Sequence, residues 1–120
     1  MARILIVDDS ATEVQSLRAM LEAGGYETLE ARSAEEGIST ARSEKPDAVL
    51  MDIVMPGLNG FQAMRQMGKE SDTKDIPVIV VTTKDGETDR IWSMRQGAVG
   101  YLVKPVTGPQ LLEAVQKALA

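Results

Sequence analysis

Asp8 with Asp9, Asp52, Thr82 and Lys104 stand at the ends of short apolar runs, and together they could do chemistry that none could do alone. Three carboxylates brought to one place repel one another, and their pKa values rise unless a cation sits among them. Mg²⁺ suits such a set, because it prefers oxygen donors and is usually held by one or two carboxylates plus a phosphate. Lys104 offers a compact positive charge for Asp52 or for phosphoryl oxygens, and Thr82 offers a hydroxyl donor. Phosphoryl transfer depends mainly on positioning and charge neutralisation. Asp52 is the natural nucleophile, since carboxylates form aspartyl phosphates. Any one polar residue after a strand is ordinary loop chemistry. The combination, drawn from four separate strands, is not.

The elements that must position these residues are legible in the apolar pattern. The runs are Ile4 to Val7, a weaker Glu27 to Ala31, Ala48 to Met51, Val78 to Val81 and Tyr101 to Val103. Ile4 to Val7 and Val78 to Val81 are continuously apolar and rich in β-branched residues, as strands covered on both faces are. Between the runs, apolar residues recur at spacings of three and four: Val14, Leu17 and Leu21; Ala34, Ile38 and Ala41; Ile91, Met94 and Ala98; Leu111, Val115 and Leu119. These stripes predict amphipathic helices. Ser10 with Glu13, Ser33 with Glu36 and Thr107 with Gln110 match capping boxes, and Gly24-Gly25 is a helix stop. Five β-α units follow, hence an open α/β sheet with helices on both faces. In such folds ligands sit beyond the carboxyl ends of the strands.

Composition narrows the function classes. The chain has 120 residues, enough for one domain with its own core, and neither Cys nor His. Disulfides, zinc sites, thiol nucleophiles, His-based triads and a phosphohistidine of its own are therefore excluded. The formal charge of −5 argues against nucleic acid as a partner. No apolar stretch approaches the roughly 20 residues of a membrane span, and no signal peptide is apparent. A cytoplasmic location is expected.

The motifs Ile-Val-Asp8-Asp9-Ser10, Met-Asp52-Ile-Val-Met-Pro56-Gly-Leu-Asn-Gly60, Val-Thr82-Thr and Gly-Tyr101-Leu-Val-Lys104-Pro105 resemble those of CheY-like response-regulator receiver domains, in order along the whole chain. The resemblance implies a flavodoxin-like, doubly wound (βα)5 fold with a parallel sheet in strand order 2-1-3-4-5, and a single receiver domain over 1–120 without an output domain. It implies that Asp52 is the phosphoacceptor and that Asp9, Asp52 and the Val54 carbonyl ligate Mg²⁺, with Asp8 acting through water. Lys104 would contact the phosphoryl group and precede a cis peptide at Pro105. Thr82 and Tyr101 would form the switch that couples the site to the face of the fourth helix, fifth strand and fifth helix, by new charge-assisted hydrogen bonds. Within the family, Asp52-Ile-Val-Met-Pro-Gly-Leu-Asn-Gly-Phe-Gln62, Thr82-Thr-Lys-Asp85 and Trp92 are most similar to stand-alone regulators of type IV pilus twitching motility.

Several residues carry two readings. Gly57 and Gly60 relieve backbone restriction in the loop after Asp52. Met55 and Leu58 are either loop anchors or a partner-facing patch, and Met64 and Met67 are core filling. Trp92 lies at or beyond the margin of the fourth helix's inward stripe. It either covers the sheet edge or anchors a partner, with Lys84, Arg90 and Arg95 as polar rim. Val54 lacks a polar tip to hold an attacking water, so slow self-dephosphorylation is expected.

The leading reading is thus a signalling phosphoacceptor, not a turnover enzyme. A partner histidine kinase of the chemotaxis type is its expected donor, a downstream protein its target or a phosphate sink its role, and a monomer its expected form. A Mg²⁺-dependent aspartyl phosphatase is the enzyme alternative, disfavoured because no second acid stands two residues after Asp52. A receiver fragment of a larger regulator is another. A flavodoxin-like cofactor binder fits least, since Asp8-Asp9 would repel a phosphate without metal.

Overall fold

The computed structural model describes residues 1–120. Five strands alternate with five helices: β1 Arg3–Val7, α1 Ala11–Ala23, β2 Glu27–Ala31, α2 Ala34–Glu44, β3 Ala48–Met51, α3 Gly60–Lys69, β4 Val78–Thr82, α4 Glu87–Arg95, β5 Gly100–Val103 and α5 Gly108–Leu119. All strands pair in parallel, in the order β2-β1-β3-β4-β5. That is the expected doubly wound arrangement.

Alternation along the central strands divides the core in two. Ile4, Ile6, Leu50, Ile79 and Val81 meet Val14, Leu17 and Leu21 of α1 and Leu111 and Val115 of α5. Leu5, Val7, Val49, Met51 and Val80 face the other way, against Ile38 and Ala41 of α2 and Ala63, Met64 and Met67 of α3. Both faces of β1, β3 and β4 are therefore covered, which is why those strands read as unbroken apolar runs. Met55 and Leu58 pack on the second cluster and act as loop anchors.

Helix ends follow the expected chemistry with one refinement. Ser10, Ser33 and Thr107 all accept a hydrogen bond from the backbone N–H three residues on. Of the three, only Thr107–Gln110 completes the reciprocal box, and an unforeseen box, Asn59–Gln62, starts α3. Gly25 takes the left-handed φ of +89° that ends α1.

The fourth helix departs from expectation. Its stripe of Ile91 and Met94 does not face the sheet: both are exposed, at 43% and 45%. Ser93 is the buried residue of α4, and Ala98 packs on the core beyond the helix end. The Ser93 hydroxyl donates to the Asp89 carbonyl at 2.8 Å, so a polar inward residue is satisfied without help from outside the helix. A small hydroxyl on the inner face lets α4 lie close to the sheet while its large apolar side chains point outward.

Candidate functional site

Strand register assembles the site. Val7 pairs with Met51, and the Asp52 N–H donates to the Val7 carbonyl at 3.0 Å. The residues that follow, Asp8 and Asp52, therefore leave adjacent strands side by side. Thr82 pairs with Val103, and the Lys104 N–H donates to the Thr82 carbonyl at 2.8 Å. This places the Lys104 stem at the same carboxyl edge, where β1 and β3 part to receive connections from opposite faces.

The Lys104 ammonium closes the arrangement. Its Nζ lies 2.6 Å from Asp8 Oδ2 and 3.2 Å from Asp52 Oδ2, with the side chain only 6% exposed. Burial alone would lower the Lys104 pKa, but the hydrogen bond to Asp8 and the charges of Asp52 and Asp8 outweigh it and hold the pKa above its ordinary value. The other carboxylate oxygens are also engaged: Asp8 Oδ1 accepts from the Ser10 N–H at 2.9 Å, and Asp52 Oδ1 from the Val54 N–H at 3.0 Å. The Lys104–Pro105 peptide bond is cis.

Carboxylate oxygens of Asp8, Asp9 and Asp52 all lie within 4.8 Å of one another. Asp8 and Asp52 are buried and Asp9 is exposed at the mouth. Three carboxylates against one ammonium leave two negative charges, which a divalent cation would balance. The Val54 carbonyl accepts no hydrogen bond from the protein and stands in the same loop. Hard oxygen donors, an open mouth and the charge deficit all fit Mg²⁺.

The remaining predicted residues divide into two groups. Thr82 is fully buried at the end of β4, and its hydroxyl accepts from the Lys84 N–H at 3.4 Å. Tyr101 on β5 is partly buried, and its hydroxyl donates to the Lys84 carbonyl at 2.6 Å. Both switch candidates thus bracket the same β4–α4 loop from opposite sides. Burial first, then the charges of Asp89 and Asp85, push the Tyr101 phenol above its ordinary pKa. Lys84, Arg90, Trp92 and Arg95 are exposed and outside the site, with the Arg95 guanidinium 5.8 Å from the Trp92 ring centre. Trp92 therefore does not seal the sheet edge.

Gly60 and Glu13, both close to the site, serve it in ways their local motifs do not convey. Gly60 has no positive φ; its need is space, since a Cβ there would lie 2.5 Å from the Asp52 carbonyl oxygen. Gly57, by contrast, does hold a φ of +75°. Glu13, expected to cap α1, instead extends its carboxylate to 4.0 Å from Lys104 Nζ. A third acid beside the lysine was hidden by its match to a capping motif.

Comparison with known proteins agrees with this geometry. Residues 4–116 match the response regulator receiver domain family. The chain is 60% identical over 120 residues to the protein PilH of Pseudomonas aeruginosa, covering all of this chain and 99% of that one. It is 37% identical over 115 residues to the response regulator PleD of Caulobacter vibrioides, of which it covers 25%. Among solved structures it resembles the chemotaxis protein CheY4 of Vibrio cholerae, with a TM-score of 0.92, 31% identity and 99% of both chains covered. A response regulator receiver domain from Clostridium thermocellum gives a TM-score of 0.91 at 35% identity, covering 99% of this chain and 94% of that one. Sequence match, strand order and the acidic strand-end cluster converge: the chain belongs to the response regulator receiver domain family.

Proposed function

We propose that this receiver domain accepts a phosphoryl group on Asp52 from a partner histidine kinase and signals through its α4–β5–α5 face. Receiver domains are signalling phosphoacceptors, take the group from a histidine kinase and bind Mg²⁺ at an acidic cluster. The observation that carries the assignment is the pairing of Asp52 with Lys104 beside Asp8 and Asp9. Asp52 Oδ2, turned toward the lysine, is the attacking oxygen, and its other oxygen is held by the Val54 N–H. Asp8, Asp9, Asp52 and the Val54 carbonyl would hold Mg²⁺, Asp8 through water. When bound, the ion offsets charge between the carboxylate and the incoming phosphoryl oxygens. Lys104 supplies positive charge from the other side.

The output follows from Thr82 and Tyr101. The Thr82 hydroxyl would donate to a phosphoryl oxygen, and turning to do so moves the oxygen that accepts from the Lys84 N–H, which shifts the β4–α4 loop that Tyr101 also grips. The loop leads into α4, whose Ile91, Trp92 and Met94 are exposed, as are Val99 just before β5 and Val103 at its end. This apolar face, rimmed by Lys84, Arg90 and Arg95, is the surface a protein target would read. Identity to PilH and the motif wording support a place in type IV pilus twitching motility or chemotaxis-like control. No helix is long and apolar enough to cross a membrane, which accords with action in the cytoplasm. We assign the whole of 1–120 to the receiver, working as a monomer, and expect slow self-dephosphorylation because exposed Val54 offers an attacking water no polar anchor.

Incubation with Mg²⁺ and acetyl phosphate, followed by intact-mass measurement, tests the acceptor. A single phosphoryl adduct that is absent in Asp52→Asn supports it. Sustained turnover of varied phosphoesters would point to an aspartyl phosphatase instead.

A further inference from the structure

The Ser10–Glu13 pair at the start of α1 is a half-made capping motif whose acid reaches the site. The Ser10 hydroxyl accepts from the Glu13 N–H at 3.3 Å, as a cap should. The return bond, from the Ser10 N–H to the Glu13 carboxylate, is not made here, nor is it in Ser33–Glu36; the Ser10 N–H donates to Asp8 Oδ1 instead. In Asn59–Gln62 and Thr107–Gln110 the return bond is made, at 3.0 Å in each. Freed from the cap, the Glu13 carboxylate stands 4.0 Å from Lys104 Nζ, with its side chain 41% exposed. Asp8 and Asp52 take the buried side of the same ammonium, so Glu13 occupies the solvent side, where a donor must enter. An acidic residue in a first helical turn is ordinarily explained by the helix dipole. The dipole accounts for Glu35 and Glu36 of α2, which pair with no cation; it does not account for an acid directed at the lysine of the acceptor site.

We propose that Glu13 is a positioning residue that restrains the Lys104 ammonium from its outer side and makes the mouth of the site discriminate against small donors by their negative charge. The inference rests on Asp52 being the phosphoacceptor. Asp8, Asp52 and Glu13 then surround one lysine, and Glu13 is the most exposed of the three, so an approaching phosphoryl dianion meets it before the buried pair. Removing that charge both lowers repulsion on approach and leaves Lys104 free to turn to the donor. A docked protein donor, whose phosphoryl group arrives on a complementary surface, is less sensitive to one mouth charge than a small dianion. The site would thereby favour its protein partner over free metabolic phosphodonors.

The test measures adduct formation by intact mass for wild type, Glu13→Gln and Glu13→Asp, with Mg²⁺, using acetyl phosphate (a dianion) and phosphoramidate (a monoanion). Glu13→Gln is expected to react about three to ten times faster than wild type with acetyl phosphate at low salt. The gain should be smaller with phosphoramidate and shrink in high salt, whereas Glu13→Asp, which keeps the charge, should stay within about twofold of wild type. A merely structural role for Glu13 would not sort donors by charge, and the Ser10 cap survives both substitutions, so the melting temperatures should agree closely. Equal effects on both donors, no effect, a slower Glu13→Gln, or a Glu13→Asp that behaves like Gln would overturn the inference while leaving Asp52 as acceptor. Failure of wild type to form any adduct would overturn the acceptor assignment itself, and this inference with it.

Discussion

The two ends of the β4–α4 loop belong to regions built on opposite terms. On the site side, Asp8, Asp52, Thr82 and the Lys104 side chain are buried, and every carboxylate oxygen of Asp8 and Asp52 has a partner. On the α4 side, one small residue faces in and three large apolar ones face out. The first region holds like charges together and can do so only with fixed partners. The second leaves apolar surface in water, which costs stability unless another surface covers it. The proposed switch needs both, a fixed acceptor site and a thinly packed output face, since only the weakly held element can respond to a few new hydrogen bonds.

The sharpest way to break this contrast is through Lys104. Lys104→Met leaves buried Asp8 and Asp52 facing each other without their cation, and should cost about 3 kcal/mol in metal-free urea unfolding, with Mg²⁺ restoring part of it. Loss of less than about 1 kcal/mol would show that the site is not held by that pair. Gly60 and Gly86 give a matched comparison. Gly60→Ala drives a Cβ into the Asp52 backbone and should cost about 2 kcal/mol, whereas at Gly86 the obstacle is the mobile Asp89 carboxylate, so Gly86→Ala should change stability by less than about 0.5 kcal/mol. Equal costs would remove the distinction between the two regions. Trp92→Ala and Met94→Ala should fall within about 0.5 kcal/mol of wild type in unfolding, yet weaken capture of any target that recognises the phosphorylated form. A large stability loss would mean that α4 is packed more firmly than its exposed face indicates.

The smallest expected effect concerns pH. The Tyr101 phenol is held above its ordinary 10.0, so its neutral form is favoured in the folded chain. Its contribution to stability is therefore complete below about pH 10 and fades as pH rises from there through the folded-state value, because the unfolded chain ionises first. Phenolate absorbance should show one tyrosine titrating late, and Tyr101→Phe should remove that late component while losing the hydrogen bond to Lys84. A Tyr101 that titrates normally would place its hydroxyl in open solvent.

What could be read from the residues divides along the same line as the molecule. Ile4 to Val7 and Val78 to Val81 are buried on both faces, so burial wrote itself into the chain as unbroken apolar runs, and the residues after them had to be strand-end groups. Asp8, Asp9 and Thr82 stand at the ends of those runs, Asp52 and Lys104 at the ends of the shorter runs of β3 and β5, and parallel pairing brings them to one edge. The orientation of α4 was not legible. In a nine-residue helix, the helical spacing of Ile91 and Met94 carries the same pattern whether the stripe faces a sheet or a partner, and the inward residue is Ser93, which looks like surface. Gly60 was equally opaque, because a glycine needed for space and one needed for φ are the same letter. Glu13 was masked by a local motif whose second half is not made, the Ser10 N–H donating to Asp8 and the Glu13 carboxylate standing near Lys104.

The central claim is that Asp52, and no other acid of the cluster, takes the phosphoryl group. Trapping by borohydride after treatment with acetyl phosphate and Mg²⁺ tests it directly, because reduction converts an aspartyl phosphate to homoserine and marks the position permanently. Peptide mass spectrometry should place homoserine at position 52 alone, in the loop that also carries Val54. Homoserine at position 8 or 9, or none at all, would contradict the account.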